Sequence, residues 1–269
     1  MKKLLIITAV LVGLPAASAS AGDNNSGPAS LGAPNLRGSF GWAGPYVGVH
    51  GGLHWARPDT DLSNVVGATL SLDVSNGVFP RSTELSDESF TGGLHAGWQF
   101  QSGMWVGGLE GDISWLGQEA SRGISVIDPV PPPSPFSGAR VNSSFESEID
   151  WLATMRLRGG VAFDTRTLAY LTGGLAVGEV RNSMTVTIPS LGYAPPTWSE
   201  TDTQWGWVVG AGIEHAFTPR LTARLEYLHF DLDDQKVLAT DPVNFPGESL
   251  EYRYENSGDI VRAGANWRF

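Results

Sequence analysis

Residues 105–115 read Trp-Val-Gly-Gly-Leu-Glu-Gly-Asp-Ile-Ser-Trp. Trp105, Leu109, Ile113 and Trp115 fall on one parity and Glu110, Asp112 and Ser114 on the other, which is the period of a β-strand and not of a helix. One face is apolar and bounded by tryptophan at both ends; the other carries two carboxylates. Ten steps of about 3.3 Å along a strand tilted near 40° cover roughly 25 Å, the height of a bilayer's apolar band. Such a strand suits lipid on one face and a polar lumen on the other.

The same parity recurs on both sides of this stretch. It predicts strands over 46–55, 90–100, 105–115, 149–163, 169–177, 205–217, 221–230 and 259–269. In 149–163, Ile149, Trp151, Met155 and Leu157 share the apolar parity, with Asp150, Thr154, Arg156 and Arg158 opposite. In 169–177, Tyr170 lies opposite Leu171, Leu175 and Val177. Eight such strands could close with the apolar face inward, as a soluble barrel, or outward, in lipid. If they alternate up and down, one end of the apolar face collects Trp55, Phe90, Trp115, Trp151, Trp205 and Trp207. The other end collects Trp98, Phe100, Trp105, Phe163, Phe217, Trp267 and Phe269. Two aromatic belts around an apolar band mark a lipid-facing surface. The fold class expected is therefore all-β, an eight-stranded antiparallel up-and-down transmembrane β-barrel.

The connections support this reading. Residues 101–104, 164–166 and 218–220 are tight turns at one end, whereas 56–89, 116–148, 178–203 and 231–258 are long and polar at the other, with 184–188 suited to extending a hairpin. Outer-membrane barrels have short periplasmic turns and long external loops. At the N-terminus, Lys2 and Lys3 precede an apolar run over 4–14, Pro15 and the small residues Ala17, Ser18, Ala19, Ser20 and Ala21. This predicts a signal peptide over 1–21, cleaved after Ala19 or Ala21, because the run is too short to span a bilayer. Residues 22–41 read as a flexible periplasmic leader and 42–269 as the barrel with four long external loops, both termini being periplasmic. The 269 residues are 41% hydrophobic and 17% charged, with a net charge of -11 and no cysteine. That balance argues against a nucleic-acid partner and excludes disulfide and thiol chemistry.

The inward parity carries Glu110, Asp112, Glu214 and Glu226 against Arg156, Arg158, Arg224 and Arg262. Unpaired charges in a narrow lumen cost several kcal/mol each, so these eight are expected to pair across strands as a hydrogen-bonded network. An eight-stranded barrel has an interior just wide enough for side chains to fill. The network therefore reads first as a structural plug and second as the lining of a narrow pore. His50, His54 and His95 share the inner face, but His50 and His54, four residues apart on a strand, are roughly 13 Å apart and cannot ligate one ion together. Asp231, Asp233 and Asp234 read as a solvated acidic edge. No metal, cofactor or catalytic residue is assigned, and no G-x-S-x-G elbow is present.

Trp42-Ala-Gly-Pro-Tyr46-Val-Gly48 resembles the W-x-G-x-Y-x-G opening of the alphaproteobacterial small outer-membrane β-barrel proteins, a porin family with OmpA-like barrels that includes abundant surface antigens. The segments 151–159, 171–176, 224–227 and 261–269 resemble later strands of that family in the same order. The resemblance covers 42–269 outside the long loops and implies location and architecture more than activity, since members are variously envelope-stabilising, pore-forming, haem-binding or adhesive. It also implies that the last strand, with Trp267 and Phe269, is the signal read by the barrel assembly machinery. The expected partners are outer-membrane lipid and that machinery, with host or ligand contacts through the loops. The expected function is a non-enzymatic, envelope-structural and surface-exposed role; the alternatives are a narrow diffusion porin and a loop-borne adhesin or haem or ligand receptor.

Overall fold

A computed structural model describes residues 40–269 except 86, 130–136, 165, 194–196 and 244–245. The signal peptide and nearly all of the leader expected over 1–41 lie outside the described residues. The elements are β1 (Gly44–Ala56), β2 (Asp59–Val66), α1 (Ala68–Ser75), β3 (Ser82–Glu84), β4 (Asp87–Ser102), β5 (Trp105–Ile127), β6 (Arg140–Ala162) and β7 (Thr167–Thr187). A 3-10 turn (Pro189–Leu191), β8 (Trp198–Ala216), β9 (Leu221–Thr240) and β10 (Ser249–Arg268) follow.

Eight of these strands, β1 and β4 to β10, pair antiparallel with their sequence neighbours, and β1 closes the ring on β10, from Tyr46 opposite Arg268 to Ala56 opposite Gly258. The short turns are held by residues suited to them. Gly103 adopts φ 62° between β4 and β5, a left-handed conformation that glycine reaches without a Cβ clash. The Asp164 carboxylate accepts the backbone N–H groups of Arg166 and Thr167, both at 2.6 Å. The Thr218 hydroxyl accepts that of Leu221 at 2.9 Å.

The long-loop end is more regular than the sequence suggests. The stretches read there as polar loops are largely strand: β5 to β10 run on past the ring, and β2 takes the place of β1 beside β10. Pairing of β8 with β9 stops at Gly206 opposite Leu232, and that of β4 with β5 at Gly92 opposite Trp115. Beyond these points the sheet continues as β5–β8 on one side and β9, β10, β2 and β3 on the other. An apolar core joins the two sides, with Phe145 and Tyr252 in edge contact at 5.0 Å and the Tyr254 hydroxyl donating to the Ser183 carbonyl at 2.8 Å.

Along β10 the two faces exchange character. Inward positions are Arg268, Asn266 and Arg262, then Ile260, Tyr254, Tyr252 and Leu250; outward ones are Trp267, Ala265, Ala263 and Val261, then Asp259, Glu255, Arg253 and Glu251. Apolar side chains face outward below this crossover and toward the protein's own core above it, so the apolar band expected of a membrane barrel ends near Asp259.

One strand assignment is corrected. Ile149 is buried at 2% exposure and Asp150 is exposed, the reverse of their parity, because a β-bulge between Ile149 and Leu152 shifts the register of β6 against both neighbours.

Candidate functional site: the charged lumen

The ladder first places three pairs of opposite charges face to face: Glu110 with Arg156, Glu214 with Arg224, and Glu226 with Arg262. Directly opposed charges on one face of an antiparallel pair attract. Closure of the ring then joins strands that are not neighbours. Arg224 Nη1 reaches Glu110 Oε2 at 2.5 Å, Arg262 Nη1 reaches Asp112 Oδ1 at 3.2 Å, and Arg158 Nη2 reaches Glu214 Oε2 at 2.9 Å. Arg156 touches three carboxylates, Glu110 at 2.5 Å, Asp112 at 2.7 Å and Glu226 at 3.2 Å. Glu110 is the hub, since Arg156, Arg158 and Arg224 all converge on it. All eight side chains expected in the lumen are brought together there, and their charges sum to zero.

Neutral residues complete the network, and parity alone did not single most of them out. Tyr46 donates to Glu110 at 2.6 Å, Thr154 to Asp112 at 2.6 Å, Tyr170 to Glu226 at 3.0 Å, and Thr222 and Asn266 to Glu214 at 2.5 and 2.6 Å. The signal available in the sequence was Tyr170, an aromatic on the wrong parity for lipid. The two luminal tyrosines lie over Gly97 and Gly212, where any Cβ would strike the ring. His50 and His95 contact each other through Nδ1 atoms at 3.2 Å, His50 meets Ser114 at 2.9 Å and His95 meets Asn266 at 2.5 Å, so both belong to the network. His54 lies higher, stacked on Phe230 at 5.6 Å.

Apolar layers close the lumen on both sides of the charges. At the short-turn end Trp42 is fully buried, its backbone N–H donates to Gln101 Oε1 at 2.8 Å, and its backbone carbonyl accepts from Arg268, whose guanidinium also lies against Phe40 and Tyr46. At the other end Leu116, Ile149, Leu152, Phe230 and Ile260 form a second apolar layer. The acidic edge read at 231–234 stands at a bulge of β9, with Asp234 3.8 Å from Arg253 on the outer surface.

On the outside, Phe90, Trp98, Phe100, Trp105, Trp115, Trp205, Trp207, Phe163, Phe217, Trp267 and Phe269 are exposed. Trp55 and Trp151 are half-buried, Trp151 sitting at the β6 bulge and paired directly with Trp115.

A ring of this kind, apolar outside and charge-filled inside, has a known counterpart in sequence: the model of the "Outer membrane protein beta-barrel domain" matches residues 6–269. The chain belongs to this family. Among its relatives, the 31 kDa outer-membrane immunogenic protein of Brucella melitensis is 27% identical, the match covering 86% of this chain and 85% of the relative. The 25 kDa outer-membrane immunogenic protein of Brucella canis is 24% identical over 100% of this chain and 99% of the relative. A 22 kDa outer membrane protein of Rhizobium leguminosarum is 30% identical over 53% of this chain and 52% of the relative. Among solved structures, the outer membrane protein OprG of Pseudomonas aeruginosa aligns with TM-score 0.47 and 13% identity, covering 84% of this chain and 97% of that one. As a member of the outer-membrane β-barrel family, the protein resides in the outer membrane.

Proposed function

We propose that this outer-membrane barrel is non-enzymatic and closed, that it serves envelope structure, and that it presents its long-loop end at the cell surface while its short turns face the periplasm. One observation carries the reading: none of the eight luminal charges exceeds 8% exposure, so side chains fill the middle of the barrel. A conducting pore of the same fold needs hydrated charges along its wall, whereas here each carboxylate is bound by at least one arginine. The Brucella relatives are named outer-membrane immunogenic proteins, which supports surface exposure. The barrel assembly machinery is the partner proposed for β10, which would be read through Trp267 and Phe269 by strand addition.

The test is conductance of the purified, folded chain in planar bilayers. The wild type is expected to leave the bilayer silent, and removal of the Trp42 plug by Trp42→Ala is expected to leave it silent too, because the charged layer still fills the lumen. Steady unitary conductance from the wild type would overturn the closed-lumen reading in favour of a narrow diffusion channel.

A further inference from the structure

At the long-loop end, α1 lies against the core that joins the two halves of the extended sheet, with Leu70, Asp73 and Val74 buried. The helix has no capping side chain of its own. Glu248 supplies the cap from the segment before β10, accepting the backbone N–H groups of Thr69 at 3.3 Å and Leu70 at 3.0 Å. Beside α1 is a cavity of about 50 Å³ with walls that include Leu70, Val186, Ile188 and Trp198. Since one water needs about 10–15 Å³ of such space, the cavity has room for a small organic group.

Four carboxylates, Asp73, Asp128, Asp241 and Glu248, line this apolar cavity, and no lysine, arginine or histidine does among the described residues. Two of them have evident structural work: Glu248 caps α1, and Asp241 accepts the Tyr193 hydroxyl at 2.6 Å and the Val243 N–H at 3.0 Å. Asp73 differs. It is only 5% exposed, it borders the cavity, and among the described residues its carboxylate accepts no hydrogen bond and meets no base. A buried carboxylate without a donor is costly, and a cationic ligand would remove that cost.

We infer that this cavity is a binding site for a small organic ammonium ion, with Asp73 as counter-ion, the aliphatic wall taking the apolar part, and Trp198 and Tyr193 supplying aromatic contact. Two features favour an organic cation over a metal. Divalent ions demand six or more oxygen ligands, and among the described residues no three acidic or histidine side chains are close enough to hold one. The wall is predominantly aliphatic, which suits a cation carrying hydrocarbon and not a hydrated one. Aromatic rings add attraction for ammonium groups within about 6 Å of their centroids. The inference is independent of whether the lumen conducts.

The experiment uses the full folded chain in nonionic detergent micelles and follows Trp fluorescence and calorimetric heat as n-butylammonium is added at pH 7.5. Butanol and butyrate serve as uncharged and anionic isosteres. Saturable binding of butylammonium is expected, with butanol weaker by about tenfold and butyrate not binding. Asp73→Asn keeps the shape and removes the charge, and is expected to weaken butylammonium by about tenfold while leaving butanol unchanged. Ala239→Phe, which fills the cavity from β9, is expected to abolish both; heat-modifiable gel mobility verifies that each variant is folded. Equal affinity for butylammonium and butanol, an unaltered affinity in folded Asp73→Asn, or equally tight competition by calcium would each overturn the assignment.

Discussion

Removing the luminal hub tests the logic of the barrel most directly. Glu110→Ala strips one carboxylate from three guanidiniums, but the structure says the three do not suffer equally. Arg156 retains Asp112 at 2.7 Å and Glu226 at 3.2 Å, and Arg158 retains Glu214 at 2.9 Å. Among the described residues Arg224 retains one ion pair, with Glu226 at 3.9 Å, besides Glu214 opposite it in the ladder. The loss is therefore concentrated on Arg224, which becomes a buried cation with one weak ion pair in a network carrying one net positive charge. Breaking a buried pair in this way costs about 3–5 kcal/mol. Arg224→Ala alone is expected to cost less, about 1.5–3 kcal/mol, since Glu110 keeps Arg156 at 2.5 Å and Arg158 at 3.1 Å and Glu214 keeps Arg158 at 2.9 Å. The double variant restores the neutrality of the network and leaves each of its remaining arginines, Arg156, Arg158 and Arg262, a close carboxylate. It is expected to be destabilised by less than the sum of the singles, with a coupling of about 2–3 kcal/mol. The assay is reversible urea unfolding in lipid vesicles, followed by Trp fluorescence and by heat-modifiable mobility. Single variants within about 0.5 kcal/mol of the parent, or strictly additive effects, would refute the claim that these side chains form one buried network.

Three further outcomes are expected. Protease added to intact cells should cut between 241 and 248, where Val243 is 85% exposed, and spare the strands; cleavage confined to 22–41 would mean the barrel is inverted. Deleting Phe269 should abolish the inserted, heat-modifiable fraction in cells whereas Phe163→Ala should lower it only modestly, and equal yields would remove the assembly signal. Burial, with repulsion from Asp128 and Glu248, raises Asp73 from 3.8 to about 6, so the folded state holds this proton more tightly and loses stability as pH rises between those values. Since the ammonium ion needs the carboxylate, its binding should strengthen as pH rises through about 6, with Tyr193 and Asp241 also facing the cavity. A flat profile from pH 5 to 7.5, read by butylammonium titration, would contradict this.

Parity was sufficient wherever a strand runs straight through lipid. In 105–115 the outward residues must be apolar because lipid offers no hydrogen bonds, and the inward ones are free to be charged, so a single sequence records both environments. The turn residues Gly103, Asp164 and Thr218 were equally readable, because a local φ preference or a side-chain acceptor two or three residues away defines them. Which charges share the lumen also followed from parity, together with their balance of four against four. Their partners did not. Arg224 and Glu110 are 114 residues apart, and only the register and closure of the ring set them 2.5 Å from each other. The bulge at 149–152 flipped Ile149 and Asp150 because a one-residue shift reverses every face, and nothing local announces it. Above the membrane the alternation persists with its polarity exchanged, so segments that read as polar loops are strands packed on an apolar core. Trp42 could have joined a lipid-facing belt by composition; the tertiary fold buried it as a plug because Gln101 and Arg268, from two other parts of the ring, converge on its backbone. The pocket beside Asp73 belongs to the same class, made by helix and strands that meet only once the barrel is closed, whereas the membrane span itself was written residue by residue in the chain.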